Sequence, residues 1–145
     1  MDIQRIPFPT HGDSRGMLVA LEGMRDVPFD IRRVYYIYGT HEDARRGQHA
    51  HRTLTQMAVA VRGSVTFMLD DGTGPAEVTL DSPSHGVLIG PMVWRELHHF
   101  SDDCVVMVLA SQPYDASDYI ADYDQFVREA SGAAYAGVAG AWPGR

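Results

Sequence analysis

Short runs of β-branched, aromatic and aliphatic residues recur along most of this 145-residue chain. Runs of this composition and length favour β-strands, and Asp71-Gly72 followed by Gly74 marks a tight turn between two of them. The predicted strands are 16–22, 31–38, 54–61, 64–69, 76–80, 86–89, 92–97 and 104–110. Many short strands at close spacing indicate an all-β sandwich or barrel rather than an alternating α/β fold.

One segment near the C-terminal end has helical periodicity. Its apolar and aromatic residues recur every three to four positions, and Ser117 stands where an N-cap belongs, so the pattern predicts a helix over 117–129. A chain of this length fits one domain, which we assign to residues 1–130. The remaining residues, 131–145, form a tail rich in glycine and alanine without a clear pattern.

The segment 45–63, RRGQHAHRTLTQMAVAVRG, carries the chemistry of the chain. His49 and His51 are two residues apart, so on a strand both imidazoles point to one face, beside the arginines that precede them. A histidine pair next to arginine suggests proton transfer on an anionic ligand. Gln56 has the opposite parity, so a turn near 52–55 must intervene if it also points inward.

This spacing resembles the first cupin motif, in which an H-x-H pair precedes a carboxylate and a glycine. Metal-binding cupins normally carry Glu at the position of Gln56 and a later His at that of Glu96, so two of the four expected ligands are missing. Because Zn and Fe sites need three or four well-placed protein ligands, we expect no metal. His98 as a substitute third ligand is the open alternative.

A wider set of stretches matches a known pattern in order: DSRGMLVALE at 13–22, PFDIRRVYYIYG at 28–39, RRGQHAH at 45–51, LDSPSHGVLIGPMVWREL at 80–97 and FSDDCVVMVLASQPYDASDYIADYDQF at 100–126. Together they resemble the dTDP-sugar 3,4-ketoisomerase family of cupins, which implies a double-stranded β-helix, or jelly-roll, barrel with a short C-terminal helix.

The resemblance also implies an activity and an assembly. The expected reaction converts a dTDP-4-keto-6-deoxy-hexose to its 3-keto isomer in deoxysugar biosynthesis, without a metal or organic cofactor. The expected partner is a second copy, in a homodimer with N-terminal strand exchange, so that residues of both subunits approach one site. Arg95 departs from the family pattern, since it stands where members often have His after the tryptophan.

All 12 basic residues are arginine, although the net charge is −7. The lack of lysine excludes Schiff-base catalysis and covalent pyridoxal phosphate. The acidic balance argues against nucleic acid or an anionic membrane as partner. Five arginines nevertheless fall within 32–52, which suits a pyrophosphate pocket, because a guanidinium binds phosphate oxygens in pairs.

Strand alternation divides 31–38 into two faces, with Arg33 and Tyr35 on one and Tyr36 on the other. We expect Arg33 and Tyr35 to face the lumen, because an arginine and a phenol suit a nucleotide-sugar pocket; Tyr36 is the alternative. A base must remove the C3 proton and return one at C4, and a histidine near its ordinary pKa does both.

We therefore assign His49 and His51 as the acid/base pair and Tyr35 as proton donor or polariser of the enediolate. The predicted substrate-binding residues are Arg15, Arg33, Arg46, Arg52, Gln56, Arg95 and His98. For Gln56, a structural role at a strand end is an equal alternative.

Cys104 lies in an apolar run, so we expect a small buried hydrophobe; a nucleophile paired with His98 or His99 is the alternative. The sequence shows no secretory or transmembrane pattern, which suggests a cytoplasmic protein.

Three other functions are open. A dTDP-sugar 3,5-epimerase is a related cupin and would give a different product. A metal-dependent cupin enzyme would need bound iron or a similar ion, and a non-catalytic sugar-nucleotide-binding cupin would leave solvent deuterium out of the sugar.

Overall fold

The computed structural model describes residues 1–133, and the side chain of Ala133 is outside the description. The strands are β1 Gln4–Pro7, β2 Thr10–Asp13, β3 Gly16–Val19, β4 Arg33–Ile37, β5 Arg46–His51, β6 Gln56–Arg62, β7 Val65–Asp70, β8 Pro75–Leu80, β9 His85–Ile89, β10 Trp94–His98, β11 Val105–Ala110 and β12 Tyr119–Ile120. A 3-10 turn, Ala116–Asp118, precedes β12, and the helix α1 is Tyr123–Ala133. The all-β prediction is confirmed, with most strand ends shifted by one or two residues.

Two five-stranded antiparallel sheets form the body of the molecule. The first has the strand order β1-β9-β6-β11-β4, and the second has the order β12-β5-β10-β7-β8. Strands that follow each other in sequence are often not neighbours in a sheet, since the chain crosses repeatedly between the two sheets. This is the jelly-roll arrangement that the resemblance implied.

Alternation along the strands separates an inner core from an outer layer. On β6, Ala58 and Ala60 join the inner cluster, whereas Met57 and Val59 pack in a second cluster on the outer face. The inner cluster is built around Val65, Phe67, Leu80, Val87, Phe100 and Val106, all at most 2% exposed. Cys104 belongs to it, and burial raises the pKa of its thiol, as expected for a packing residue rather than a nucleophile.

The C-terminal helix begins later than the sequence predicted. Residues 117–122 form the end of the 3-10 turn, the short strand β12 and a link, and α1 begins at Tyr123. Ser117 is not its N-cap: Asp115 caps the 3-10 turn by accepting from Ser117 N, and the Asp122 carboxylate accepts from Gln125 N at 2.9 Å in the first turn of α1.

The helix covers the outer face of the second sheet. Phe126 and Ala130 pack there with Trp94, Ala50 and Ile120. Of the aromatic residues in the predicted helix, Phe126 is thus a packing residue of this sheet. Residues 131–133 of the predicted tail belong to α1, and 134–145 lie outside the described residues. No helix among the described residues is long and apolar enough to cross a membrane.

The N-terminal strands behave differently from one another. Strand β1 pairs with β9 in its own sheet, and β2 and β3 pair only with each other in a separate hairpin. Met17 and Leu18 on this hairpin are 72% and 59% exposed. Strand β1 is thus paired within its own chain, whereas the hairpin has no sheet partner among residues 1–133. Exchange of an N-terminal strand with a second copy stays a prediction.

Candidate active site

A cavity of about 300 Å³ opens between the two sheets. Its walls come from strands of both sheets and from β12, and polar and apolar residues share the lining. The lining residues are Arg33, Val34, Tyr35, Ile37, Arg46, Gly47, His49, Gln56, Ala58, Phe67, Ile89, Arg95, Leu97, Val108 and Tyr119. The small side chain of Ala58 leaves room there.

A bulge in β5 aims His49 at this cavity. The register between β5 and β10 shifts at this point, because Arg95 faces His49 but Glu96 faces Gly47, so Gln48 is an extra residue. Gly47 and Gln48 both have left-handed backbones, with φ of 83° and 57°. A Cβ on Gly47 would lie 2.8 Å from the carbonyl oxygen of Arg95, so glycine is required where the two strands approach.

The two histidines of the H-x-H pair are in direct contact. His49 Nε2 lies 3.1 Å from His51 Nε2, and His49 Nδ1 lies 2.9 Å from the carbonyl oxygen of Gly47. His49 lines the cavity, whereas His51 is only 1% exposed. The sequence prediction that both rings share one face is therefore correct, but only the first of them forms part of the cavity wall.

Burial lowers the pKa of His49, and the positive charge of Arg95 lowers it further. The hydrogen bond to the Gly47 carbonyl oxygen acts in the opposite direction. The pKa of His51 falls to about 3, through burial first and then through the charges of Arg95 and His49, while Asp118 acts in the opposite direction. Both imidazoles are accordingly neutral near pH 7, as a proton acceptor must be.

The sequence analysis missed two residues beside the pair, Asp118 and Tyr119. Strand β12 pairs with β5 and sets Tyr119 opposite His51, with the ring centroids 4.3 Å apart; its ring lies 4.8 Å from that of His49. Asp118 Oδ2 lies 3.4 Å from His51 Nδ1. Both residues were assigned to the predicted helix, and a strand of two residues has no periodicity that would have revealed them.

A second chain of contacts joins Tyr35, Gln56 and Arg95. Gln56 donates from Nε2 to the Tyr35 hydroxyl at 3.1 Å, and its carbonyl oxygen accepts from Arg95 Nη1. Tyr36 is 65% exposed on the opposite face, so Tyr35 is the tyrosine at the cavity. Since its oxygen already accepts from the amide, the Tyr35 hydroxyl proton is free to donate to a ligand.

The cavity holds two buried guanidinium donors without partners. Among the described residues, Arg95 Nε and Arg33 Nε are buried and form no hydrogen bond. Burial lowers the pKa of Arg95 to about 10, so it is still charged near pH 7, and burial raises the pKa of Tyr35, which is therefore protonated. Arg33 lies 5.4 Å from the Tyr35 ring centroid, and Arg46 is exposed at the edge of the cavity lining.

Two predicted substrate-binding arginines lie elsewhere. Arg52 binds Glu129 of α1 through Nε at 3.0 Å and also donates to the carbonyl oxygens of Ser117 and Tyr119. Arg15 lies on the exposed hairpin, where it pairs with Asp13. Neither lines the cavity of its own chain, because charge alone does not tell which tertiary partner an arginine has.

His98, another predicted substrate-binding residue, does not line this cavity either. Arg95 and Leu97 of β10 line the cavity, so alternation turns His98 to the other face, where Nε2 lies 3.5 Å from Glu77. Its spacing of three from Arg95 could have shown this. His99 lies beyond the strand with φ of 53°, and its ring centroid is 4.3 Å from that of His98.

The donor set does not suit a divalent cation. Among residues 1–133, no group of three or more His, Cys, Asp or Glu side chains could hold a metal ion. The oxygen of Gln56 already accepts from Arg95, and the cationic guanidinium would repel a metal beside it. His98 cannot serve as the third ligand, since it lies on the opposite face of β10.

Comparison with known proteins agrees with this geometry. Residues 1–131 match the family model described as FdtA: WxcM-like, C-terminal. The chain is 52% identical over 126 residues to the TDP-4-oxo-6-deoxy-alpha-D-glucose-3,4-oxoisomerase of Aneurinibacillus thermoaerophilus, a match that covers 87% of this chain and 91% of the relative.

Solved structures show the same fold. A mutant of the 3,4-ketoisomerase QdtA from Thermoanaerobacterium thermosaccharolyticum, in complex with TDP-4-keto-6-deoxyglucose, superposes with a TM-score of 0.89 at 41% identity, over 92% of this chain and 96% of that one. A 3,4-ketoisomerase from Helicobacter canadensis gives a TM-score of 0.87 at 41% identity, over 90% and 98% of the two chains. The cupin fold and the family resemblance predicted from the sequence are both confirmed.

Proposed function

Since this chain belongs to the FdtA family (WxcM-like, C-terminal), we propose that it is a sugar-nucleotide 3,4-ketoisomerase, which converts a dTDP-4-keto-6-deoxy-hexose to its 3-keto isomer in deoxysugar biosynthesis. One observation carries the proposal beyond family membership. A neutral histidine, a protonated phenol and a buried guanidinium meet at one cavity. These are the groups that moving a carbonyl to the neighbouring carbon requires.

His49 is the proposed base. It takes the proton from C3 of the 4-keto sugar, and the electron pair of the C3–H bond forms a C3–C4 double bond while negative charge develops on O4. A neutral imidazole is needed for this step, and burial together with Arg95 favours that form by lowering the pKa of His49. Transfer of the O3 proton to O4 and return of a proton at C4 then give the 3-ketone with a C4 hydroxyl group.

Arg95 and Tyr35 are the proposed stabilisers of the enediolate. Both line the cavity, and Gln56 fixes them relative to each other by bonding to each. A charged donor and a hydroxyl donor placed in a buried site oppose the charge as it develops, at little cost in reorganisation. The sequence left a substrate-binding role and a structural role open for Gln56. The proposed role combines them, because Gln56 is a hydrogen-bonded polar group that positions the side chains of Tyr35 and Arg95.

The proposed pyrophosphate contacts are Arg33 and Arg46. Arg95 is buried, Arg33 is half-buried and Arg46 is exposed, so positive charge extends from the floor of the cavity to its edge. This gradient supports a pose with the hexose beside His49 and the diphosphate towards Arg46. Because Arg33 lines the cavity, its guanidinium can donate to such an anion.

The proposed assembly is a homodimer in which the hairpin formed by β2 and β3 lies against the sheet of the second copy. The hairpin strands are almost wholly exposed in the single chain. A groove of about 700 Å³ on the outer face of the first sheet is lined by apolar residues that include Val34, Val61 and Met107. A second copy would cover both surfaces and remove this apolar area from water.

Product analysis tests the proposed activity. The protein is incubated with dTDP-4-keto-6-deoxyglucose, and NMR identifies the product. A 3-keto sugar with unchanged configuration at C5 is expected. A product that keeps its 4-ketone and is inverted at C3 or C5 would make the chain an epimerase instead. Unaltered substrate together with tight binding of dTDP would make it a non-catalytic binding protein.

A further inference from the structure

The contacts around His49 leave a chemical problem that the proposed function does not solve. A neutral imidazole has one N–H donor and one acceptor nitrogen. The Gly47 carbonyl oxygen, 2.9 Å from His49 Nδ1, can only accept, so the proton of His49 is on Nδ1. Its acceptor is therefore Nε2, and that nitrogen lies 3.1 Å from His51 Nε2. Whether His49 can accept a substrate proton depends on what His51 presents there.

His51 has two possible neutral forms with opposite consequences. With its proton on Nε2, His51 would donate to His49 Nε2 and occupy the nitrogen that the base must use. Its Nδ1 lone pair would then face the Asp118 carboxylate across 3.4 Å, an arrangement of two acceptors. With its proton on Nδ1, His51 places an N–H beside that carboxylate, at a distance of 3.4 Å and outside hydrogen-bonding geometry. The two Nε2 lone pairs then face each other across 3.1 Å, and a proton accepted between them removes their repulsion.

The contacts of Asp118 favour the form in which the proton of His51 is on Nδ1. Its Oδ1 accepts from Thr53 N at 2.9 Å and from Thr53 Oγ1 at 2.8 Å, and its Oδ2 accepts from Leu54 N at 3.2 Å. Three donors hold the carboxylate in a fixed position. His51 Nδ1 is buried and has no hydrogen-bond partner among the described residues, so Asp118 is the group that determines where its proton lies.

We propose that Asp118 is a positioning residue that keeps the proton of His51 on Nδ1, so that His49 and His51 share between their Nε2 atoms the proton taken from C3. This inference rests on the proposed function, since it needs a substrate proton for the pair to accept. The C3–H bond breaks and an N–H bond forms between the rings. The O3 proton moves to O4, and the proton held between the rings then bonds to C4, so no other reactant is required. The other groups that face His51 are Arg95 from β10 and Tyr119 from β12.

The substitution Asp118→Asn tests the assignment, because it replaces the acceptor that faces His51 Nδ1 with a donor. The two Thr53 donors keep the amide oxygen at the Oδ1 position, which turns the amide nitrogen towards His51 Nδ1. An N–H donor there favours the His51 form that blocks His49. We expect kcat to fall by about 10²-fold, as when a catalytic histidine is held in the wrong tautomer or an acid/base group is lost. KM and the Kd of dTDP should change by less than about threefold, because Asp118 does not line the cavity.

Two further measurements distinguish this positioning role from a purely structural role, in which Asp118 only holds residues 53–54 in place. Thr53→Val removes the hydroxyl bond to Asp118 but leaves the charge beside His51, so it should keep kcat within about threefold. Nitrogen-15 NMR of histidine-labelled protein should show His51 protonated at Nδ1 in the wild type and at Nε2 in Asp118→Asn.

Either of two results would overturn the inference: a wild-type His51 protonated at Nε2, or equal loss of kcat in Thr53→Val and Asp118→Asn. The wild-type spectrum decides the matter even if Asp118→Asn does not fold. Should the wild type itself form no 3-keto product, the proposed function fails, whatever tautomer His51 has.

Discussion

The two faces of strand β4 differ in chemistry although they belong to the same five residues. On the inner face, Tyr35 accepts a hydrogen bond from Gln56 at the wall of a cavity. On the outer face, Tyr36 is 65% exposed and Val34 is 53% exposed. The inner face buries polar groups and the outer face exposes apolar ones, which is the reverse of the usual distribution.

The buried polar groups of the inner face and the exposed apolar groups of the outer face point to different functions. Buried polar groups are costly unless they are paired, and the concentration of such groups at one cavity is typical of a ligand site. Exposure of an apolar face to water is unfavourable, and such faces are typical of protein interfaces. We therefore assign chemistry to the inner face and assembly to the outer face. Each of the following experiments asks whether these two properties can be separated.

Replacement of the base should have the largest effect. His49→Asn keeps a similar size and some hydrogen bonding but removes the nitrogen that accepts the C3 proton. We expect kcat to fall by ~10² to 10⁴-fold, the usual contribution of a positioned acid/base group, with dTDP binding largely preserved. Steady-state kinetics and calorimetry with dTDP measure the two quantities. Near wild-type turnover would show that another residue is the base.

The two neighbouring tyrosines provide the sharpest contrast between the faces. Tyr35→Phe removes the hydroxyl donor at the cavity and leaves the Gln56 amide without its acceptor. It should lower kcat by roughly tenfold to a hundredfold, whereas Tyr36→Phe, on the same strand, should change it by less than about twofold. Equal effects on kcat in the two variants would mean that the inner face of β4 has no particular role in turnover.

Arg46→Ala should weaken dTDP binding rather than turnover. Loss of a charge-assisted bond worth ~1.5 to 3 kcal/mol raises the Kd of dTDP by about tenfold or more. Arg45→Ala is the matched control, because this neighbour is also exposed but does not line the cavity. If both variants bind dTDP as tightly as the wild type, the diphosphate lies elsewhere.

The outer face is tested by charge. Leu18→Asp places a carboxylate on the exposed hairpin, and we expect the mass in solution to fall by about twofold, from a dimer to a monomer, since a buried unpaired charge is strongly unfavourable. Val127→Asp, on the exposed part of α1, should leave the mass unchanged. Sedimentation equilibrium measures it, and a monomeric wild type would refute the proposed assembly.

Removal of metals should have the smallest effect. Because Gln56 is bonded to Arg95 and Tyr35, its oxygen is not available as a ligand, and activity should survive dialysis against EDTA. Activity that is lost and then rescued by one specific metal ion would contradict this expectation and restore the metal-dependent alternative.

Much of the inner face could be predicted because alternation is a local property. The parity of His49 and His51, the division between Tyr35 and Tyr36, and the turn before Gln56 all follow from the two-residue period of a strand. The period did not reveal the bulge at Gln48, since an extra residue depends on the register with β10.

The errors fall where partners are distant in sequence. Arg52 binds Glu129, a partner 77 residues away, and Asp118 reaches His51 from a segment whose aromatic spacing imitated a helix. Local patterns contain no information about such contacts. Arg15 was selected for its charge alone, and the structure places it on the hairpin, away from the cavity of its own chain.

The central claim is that a proton, taken at C3 and returned at C4, moves the ketone within the sugar. The most direct test runs the wild-type reaction in deuterated water until equilibrium and locates the label by NMR. The account requires a 3-keto product with deuterium at C4 and protium at C5. Deuterium at C5 would indicate epimerisation. A 3-keto product that has no deuterium at C4 after repeated reversible turnover would indicate that the hydrogen passes between the carbons without reaching an exchangeable nitrogen, so either result would contradict proton transfer by His49.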